Sequence, residues 1–341
     1  VYARILWYSG LHRLVDRVVP PRLTILAGHC VADPATNAGL PADMKISAGR
    51  LSALLRALGR HFELVTVGEG HRRLRSGEGR SYVALSMDDG YRDNAAVLPD
   101  LLASVGARAT IFLETRALDQ RRVNWAQHYF WLLQRMSARE LVERYGRETR
   151  DVSVAERLAL AADGNDCDYR VKLVLKYDAP GVERDRTLAA LFAAAGGEET
   201  ALCDHIYMGW DDARAIAARG FELGGHTQSH AILSRLEPGE QIEEIAGGRA
   251  ALAREIGDGA LYSFAYPFGR RWDFDEHSVA AVRASGFALA VTTHAGTNTR
   301  RTDSYRLARW MIDEETPIHL LGTEAAGGFE LLRRAGVDLS E

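Results

Sequence analysis

Ser86-Met87-Asp88-Asp89-Gly90-Tyr91 closes an apolar run, Tyr82-Val83-Ala84-Leu85, and sets two adjacent carboxylates in front of a glycine. A buried strand that stops at a glycine turn delivers its last side chains to the rim of a sheet or barrel. Two carboxylates this close repel each other, so the pair asks for a cation or a shared proton. Asp-Gly is also a common turn dipeptide, and on this stretch alone a polar turn after a strand serves as well.

Working outward, the stretch sits inside an alternation of strands and helices. Leu23–Ala27 reads as a strand ending at Gly28-His29-Cys30, residues 47–60 as a helix and 61–67 as a strand. Asp93–Val105 has helical spacing and is closed by Gly106, and Arg108–Leu113 is the next strand. Strand, helix, strand at this spacing is a parallel βαβ unit. The rhythm returns after Trp210: Phe221–Gly225 opens into His226-Thr227-Gln228-Ser229-His230, Leu261–Phe268 ends in Tyr266-Pro267-Phe268-Gly269, and Phe287–Thr293 ends at His294. Arg306–Ile312 is the last expected strand, and a final helix is expected over 316–334. About seven strand–helix repeats imply a distorted (β/α)7-8 barrel, with an open doubly wound sheet as the alternative. Either fold gathers chemistry at strand C-termini. His29, Asp88, Asp89, His226, His230, Tyr266 and His294 all fall there.

Two segments stand outside the rhythm. Residues 116–205, with Trp125 and Trp131, read as a mostly helical insertion into a barrel domain spanning 23–341. Its tryptophans serve either as a lid over the site or as anchors for the insertion. Residues 1–22 read as one amphipathic helix in which Arg4, Arg13, Arg17 and Arg22 outnumber Asp16. Such a helix either packs on the domain or rests peripherally on anionic lipid.

The whole chain excludes several classes. It has 341 residues, 47% hydrophobic, with 42 basic against 46 acidic side chains. That balance lacks the basic excess of a nucleic-acid-binding protein. Cys30, Cys167 and Cys203 form no CxxC unit, so a cysteine zinc site or a disulfide framework is not expected. No apolar run is long enough to span a bilayer, and no secretory signal is visible in a chain that starts at Val1. The expected location is cytoplasmic, with the inner face of the membrane as a variant.

His226 and His230 are four apart, so on a helical turn both imidazoles can reach one cation. With a carboxylate from another strand end they make a two-histidine, one-carboxylate set that leaves positions open for water and substrate. Met87-Asp88-Asp89-Gly90-Tyr91 resembles the first motif of the polysaccharide deacetylases, the NodB-homology carbohydrate esterases. Gly225-His226-Thr227-Gln228-Ser229-His230 is similar to their second, H-[ST]-x-x-H, and Phe264–Gly269 to a variant of their third. The resemblance runs over about 23–115 and 205–312.

That resemblance implies a NodB-type barrel and metal-dependent removal of an N-acetyl group from an amino sugar, within bacterial carbohydrate metabolism. By position, Asp89, His226 and His230 would ligate a divalent metal: zinc first, with Co2+, Ni2+, Mn2+ or Fe2+ as alternatives. Asp88 would be the general base. Tyr91, Tyr266, Pro267, Phe268 and Trp310 would contact the sugar. The chain departs from the family in two places. Ala265 stands where the third motif carries an arginine that orients the base, which leaves Arg306 or Arg309 to replace it. The late histidine motif has no clear counterpart, since His319 falls in the final helix; His294 and His29 are the candidate acids. The expected substrate is a glycan, glycolipid or polysaccharide precursor. An amidase on a small non-sugar amide and a non-catalytic glycan binder are the rival readings.

Overall fold

The computed structural model describes residues 1–33, 40–257 and 261–334, which form two compact units. The first holds the barrel. Its strands are β1 (Leu23–Gly28), β2 (Cys30–Val31), β3 (Lys45–Ile46), β4 (Glu63–Val65), β5 (Tyr82–Met87), β6 (Ala109–Leu113), β7 (Glu222–Gly225), β8 (Ser263–Ala265), β9 (Leu289–Val291) and β10 (Trp310–Met311). Eight of them make a parallel sheet in the order β10-β1-β5-β6-β7-β8-β9, with β4 also on β5. β4 and β6 share one edge of β5, pairing with its first and second halves in turn. The small β2–β3 pair lies apart.

The sheet curls until its ends nearly meet. Leu307 bridges Val291 of β9, and three residues later Trp310 pairs with Leu26 of β1. Residues 307–311 therefore step across the seam from the last strand to the first. This is the distorted (β/α) barrel expected from the alternation.

β1 and β5 are buried along their whole length, as strands covered on both faces must be. Inside lie Ile25, Ala84, Phe112, Ala265, Leu289 and Val291 with neighbours from the same faces. The helices carry local signals. Ser47 caps Ala48–Gly59 by accepting from the Arg50 N–H, and Asp275 caps Glu276–Ala284 in a capping box.

Three expectations are corrected. The single helix over 1–22 is two, α1 (Tyr2–Tyr8) and α2 (His12–Val18), because Gly10 takes a left-handed φ of 81° between them. The final helix also divides, into Ile318–Ala325 and Gly328–Arg334, with Gly327 at φ 80°. Only two residues of the expected last strand are in regular pairing, because the chain there changes partner strands.

The second unit is built on Arg116–Ile206 and is helical. Its helices include Trp125–Leu133, Ala138–Glu148, Val152–Ala161, Cys167–Tyr177, Gly181–Ala194 and Glu199–Ile206. Trp125 lies 4.4 Å from the Arg184 guanidinium, and Trp131 packs edge-on to Phe192 at 4.6 Å; all four side chains belong to this unit.

Candidate metal and catalytic site

Asp88 and Asp89 leave the C-terminal end of β5. The Asp88 N–H still donates to the Gly28 carbonyl at 2.9 Å, which prolongs the β1–β5 ladder by one bond. The chain then turns at once: Asp89 and Gly90 adopt φ of 70° and 77°. A Cβ on Gly90 would sit 2.7 Å from Leu113 Cδ2, so the glycine is needed both for its φ and for that close approach. This turn separates the two carboxylates and sends them to different partners.

Asp89 faces the histidines. Its Oδ1 lies 3.2 Å from His226 Nε2 and 3.3 Å from His230 Nε2, and all three residues are buried. One ligand atom from each lies within 4.8 Å of the others. His226 Nδ1 is 2.7 Å from the Ala265 carbonyl, which can only accept, so the ring proton resides there and Nε2 is left with a bare lone pair. Asp89 Oδ1 is a buried atom with no hydrogen-bond partner of its own. Acceptors gathered this tightly, away from water, repel unless a cation sits among them. The set therefore fits a divalent metal, and its nitrogen and oxygen donors suit zinc and its neighbours.

Asp88 faces Arg309. Arg309 Nη1 donates to Oδ1 at 2.7 Å and Nη2 to Oδ2 at 2.8 Å, a forked pair in which the guanidinium is wholly buried. Nε donates to the Thr292 carbonyl at 2.8 Å, and Nη1 also reaches Ser86 Oγ at 3.2 Å. Arg309 belongs to the seam segment 307–311, so the end of the sheet reaches across to the end of β5. Burial pushes the Asp88 carboxyl up, and the Arg309 charge and hydrogen bonds push it down by more, which leaves it ionised. A guanidinium thus reaches Asp88 from the residue just before β10, although Ala265 stands at the third-motif position. Arg306 is not at the site: it pairs with Glu276 at 2.6 Å and Asp303 at 3.3 Å.

The histidine turn is not the helical turn expected from the four-residue spacing. Residues 227–229 form a tight turn in which Thr227 and His230 have φ of 64° and 57°. A β-branched residue at positive φ is costly, and such strain persists only where the surroundings enforce it. Glu244 enforces it here: its carboxylate accepts from the N–H groups of Gln228 and Ser229 at 3.0 and 2.9 Å and from the Ser229 hydroxyl at 2.6 Å. Gly248, one turn further along the same helix Pro238–Ile256, lets the Thr227 carbonyl approach to 3.1 Å of where a Cβ would stand. Four of the six non-glycine residues with positive φ among the described residues are Asp89, Thr227, His230 and Phe268. Strained backbone is thus concentrated around one site.

The remaining candidates divide. His29 is half-buried beside the cluster, within the electrostatic reach of Asp89, Asp88, Arg309 and His226, and its Nδ1 is buried without a partner. Burial pushes its pKa down. His294 is exposed, with its ring 6.4 Å from that of Phe274, and is held through its backbone to Thr292 and Arg309. Tyr91 is not a free sugar contact: it is buried, hydrogen-bonds Asp89 and stacks on Tyr207 at 5.6 Å. Tyr266 is core, stacked on Phe274 at 4.0 Å with its hydroxyl on the Tyr305 carbonyl. Pro267 is buried next to it. Phe268 is half-buried and packs edge-on to His230 at 4.6 Å, so of the apolar candidates it reaches the cluster. Trp310 is half-buried on β10 with its Nε1 buried and unpartnered. Reading the sequence missed Glu244; an acid two turns into the helix after the histidines is the signal that was there.

A family model described as polysaccharide deacetylase matches residues 178–290. The resemblance carried by the motifs is therefore borne out. The match includes His226, His230 and the Tyr266-Pro267 stretch, and stops short of Asp88 and Asp89. No curated protein matches. Among solved structures, the Streptococcus pyogenes deacetylase PplD, determined in complex with acetate, is similar with a TM-score of 0.59 and 15% identity over 90% of this chain and 99% of that one. BC0361, a polysaccharide deacetylase from Bacillus cereus, gives 0.56 and 14% over 90% and 69%. IcaB from Ammonifex degensii gives 0.53 and 18% over 90% and 97%. At these identities the likeness is one of fold.

Proposed function

We propose that this chain is a metal-dependent hydrolase that removes the N-acetyl group from an amino sugar in a glycan, glycolipid or polysaccharide precursor. The observation that carries the reading is the division of labour between two adjacent aspartates: Asp89 turned to two histidines, Asp88 locked by Arg309. A cation held by Asp89, His226 and His230, zinc by choice, would polarise the amide carbonyl and acidify a water.

The protein's own groups supply the rest. Asp88 accepts the proton of the attacking water; its second lone pairs stay available because the Arg309 fork uses one on each oxygen. Arg309 keeps Asp88 charged and fixes its plane, so the base enters the reaction already oriented. The departing amine needs a proton, and His29, beside the cluster, is better placed than exposed His294 to pass on the one that Asp88 has taken. Phe268 walls the site against His230. That the amide is carried by a carbohydrate is the part of this reading that rests on the family resemblance.

Zinc-loaded protein incubated with a panel of N-acetylated amino-sugar oligomers, with free amine and acetate measured together, tests it. Equimolar amine and acetate are expected, lost on chelation and in Asp88→Asn. Full activity in Asp88→Asn would remove the assigned base, and protein that binds no metal would remove the site.

A further inference from the structure

The two N-terminal helices are fixed to the barrel unit by one face only. Leu6, Val15 and Val19 form a cluster with Tyr2 and Leu331, and Trp7 lies so close to Gly322 that a Cβ there would be 2.2 Å from its ring. The Tyr2 hydroxyl donates to the Gly328 carbonyl at 3.0 Å and the Thr323 hydroxyl to the Ala3 carbonyl at 3.1 Å. With that face committed, neither helix can roll to bury its other side.

The other side is apolar. Ile5 and Tyr8 on α1 are 58% and 72% exposed; Leu11, Leu14 and Val18, along α2, are 46%, 56% and 73% exposed. Of the thirteen exposed large hydrophobic side chains among the described residues, these five fall within fourteen consecutive positions; apart from Val1, the rest are scattered from Val152 to Met311. The spacing i, i+3, i+7 puts Leu11, Leu14 and Val18 on one stripe. Arg4, Arg13 and Arg17 are exposed on the same helices. Asp16, the one acid of residues 1–22, is turned inward and takes the Ser81 hydroxyl at 2.5 Å. Arg22 is buried and takes no part.

We propose that α1 and α2 form a docking face for an anionic phospholipid bilayer, with Ile5, Tyr8, Leu11, Leu14 and Val18 entering the interface and Arg4, Arg13 and Arg17 meeting lipid phosphates. Charge complementarity selects this occupant. Apolar side chains flanked by long arginines, with an aromatic hydroxyl at the rim, suit the boundary between acyl chains and headgroups. A second copy is disfavoured by the same charges: a two-fold interface would set three arginines against three arginines, with no exposed acid in residues 1–22 to offset them. Docking is independent of the chemistry assigned to Asp88, so either can fail alone.

The experiment is co-sedimentation of the full chain with vesicles of phosphatidylcholine alone and of phosphatidylcholine containing phosphatidylglycerol. Binding is expected to the anionic vesicles and to weaken with salt. Each arginine near an anionic surface is worth about a fivefold gain, so Arg13→Gln/Arg17→Gln should lower partitioning roughly 25-fold. Leu14→Ser/Val18→Ser should abolish it, with the thermal midpoint and any deacetylase activity on a soluble oligomer unchanged. Should the serine variant misfold, the arginine variant and the salt titration decide. Equal binding to neutral vesicles, no binding, binding indifferent to the arginines, or a dimer in light scattering that the serine variant breaks would each overturn the proposal.

Discussion

Arg309 and Asp88 meet by two parallel hydrogen bonds of 2.7 and 2.8 Å across the seam of the barrel. Among the described residues neither side chain forms another salt bridge, and both are buried. Removing one member of such a pair strands the other's charge, at a cost of about 3–5 kcal/mol. Arg309→Ala should therefore lower the urea midpoint sharply and reduce kcat/KM by about 100-fold or more. Arg309→Lys keeps the charge but loses the fork, and should recover stability better than activity. Equal recovery of both would mean that Arg309 is a structural ion-pair partner and does not orient the base.

Metal should stabilise the fold. A ligand present at 100 times its dissociation constant adds about 2.7 kcal/mol to unfolding. Zinc is expected to raise the thermal midpoint of the chelated protein, and His226→Ala to erase the increase. A midpoint indifferent to zinc would count against the Asp89, His226 and His230 set.

Glu244 touches no reacting group, yet it holds the turn that presents His230. Glu244→Gln can still accept hydrogen bonds, but without the charge that favours two converging N–H donors. Partners of metal ligands of this kind change affinity by about 10- to 100-fold, and a loss near the lower bound is expected in a chelator competition titration. An unchanged zinc affinity would show that the Thr227 and His230 conformations are held by something else.

His71 gives the stability a pH dependence. Its Nε2 is 2.9 Å from Ser304 Oγ and its Nδ1 3.3 Å from the Tyr262 hydroxyl. Burial, then the charges of Arg75 and Arg72, push its pKa from 6.5 down to about 4. The unfolded chain thus takes the proton first as pH falls. The contribution is complete above pH 6.5 and is lost between there and about 4, with an upper bound of about 3 kcal/mol. His71→Gln should flatten that part of the curve of unfolding free energy against pH; an identical slope in the variant would exclude His71 as its source.

The sequence was readable where a local rule met a periodic one. The strand ending at Met87 and the helices starting after Ser47 and Asp275 follow from apolar runs and capping residues. His226, His230 and a carboxylate of the Asp88-Asp89 pair could be grouped because all lie at strand ends; the choice of Asp89 over Asp88 rested on the family resemblance. The choice between Arg306 and Arg309 could not be made, since it depends on which residues of 307–311 step from β9 to β1, a matter of closure geometry. Tyr266 showed the same limit: an aromatic at a strand end suits a sugar, but whether it faces the rim or stacks on Phe274 is decided by packing. The N-terminal segment was legible as amphipathic and illegible as two helices, because Gly10 can break a helix or be tolerated in one.

The seam segment has one more consequence. The proposed metal ligands come from the loops at the ends of β5 and β7, well inside the sheet, while the guanidinium that would set the proposed base arrives with the residues that complete the ring. On the proposed reading, recruiting a cation and performing hydrolysis would therefore be separable: a barrel left unclosed between β9 and β1 would own its ligands and lack an aimed base, so turnover would be a direct report that the circle has been joined.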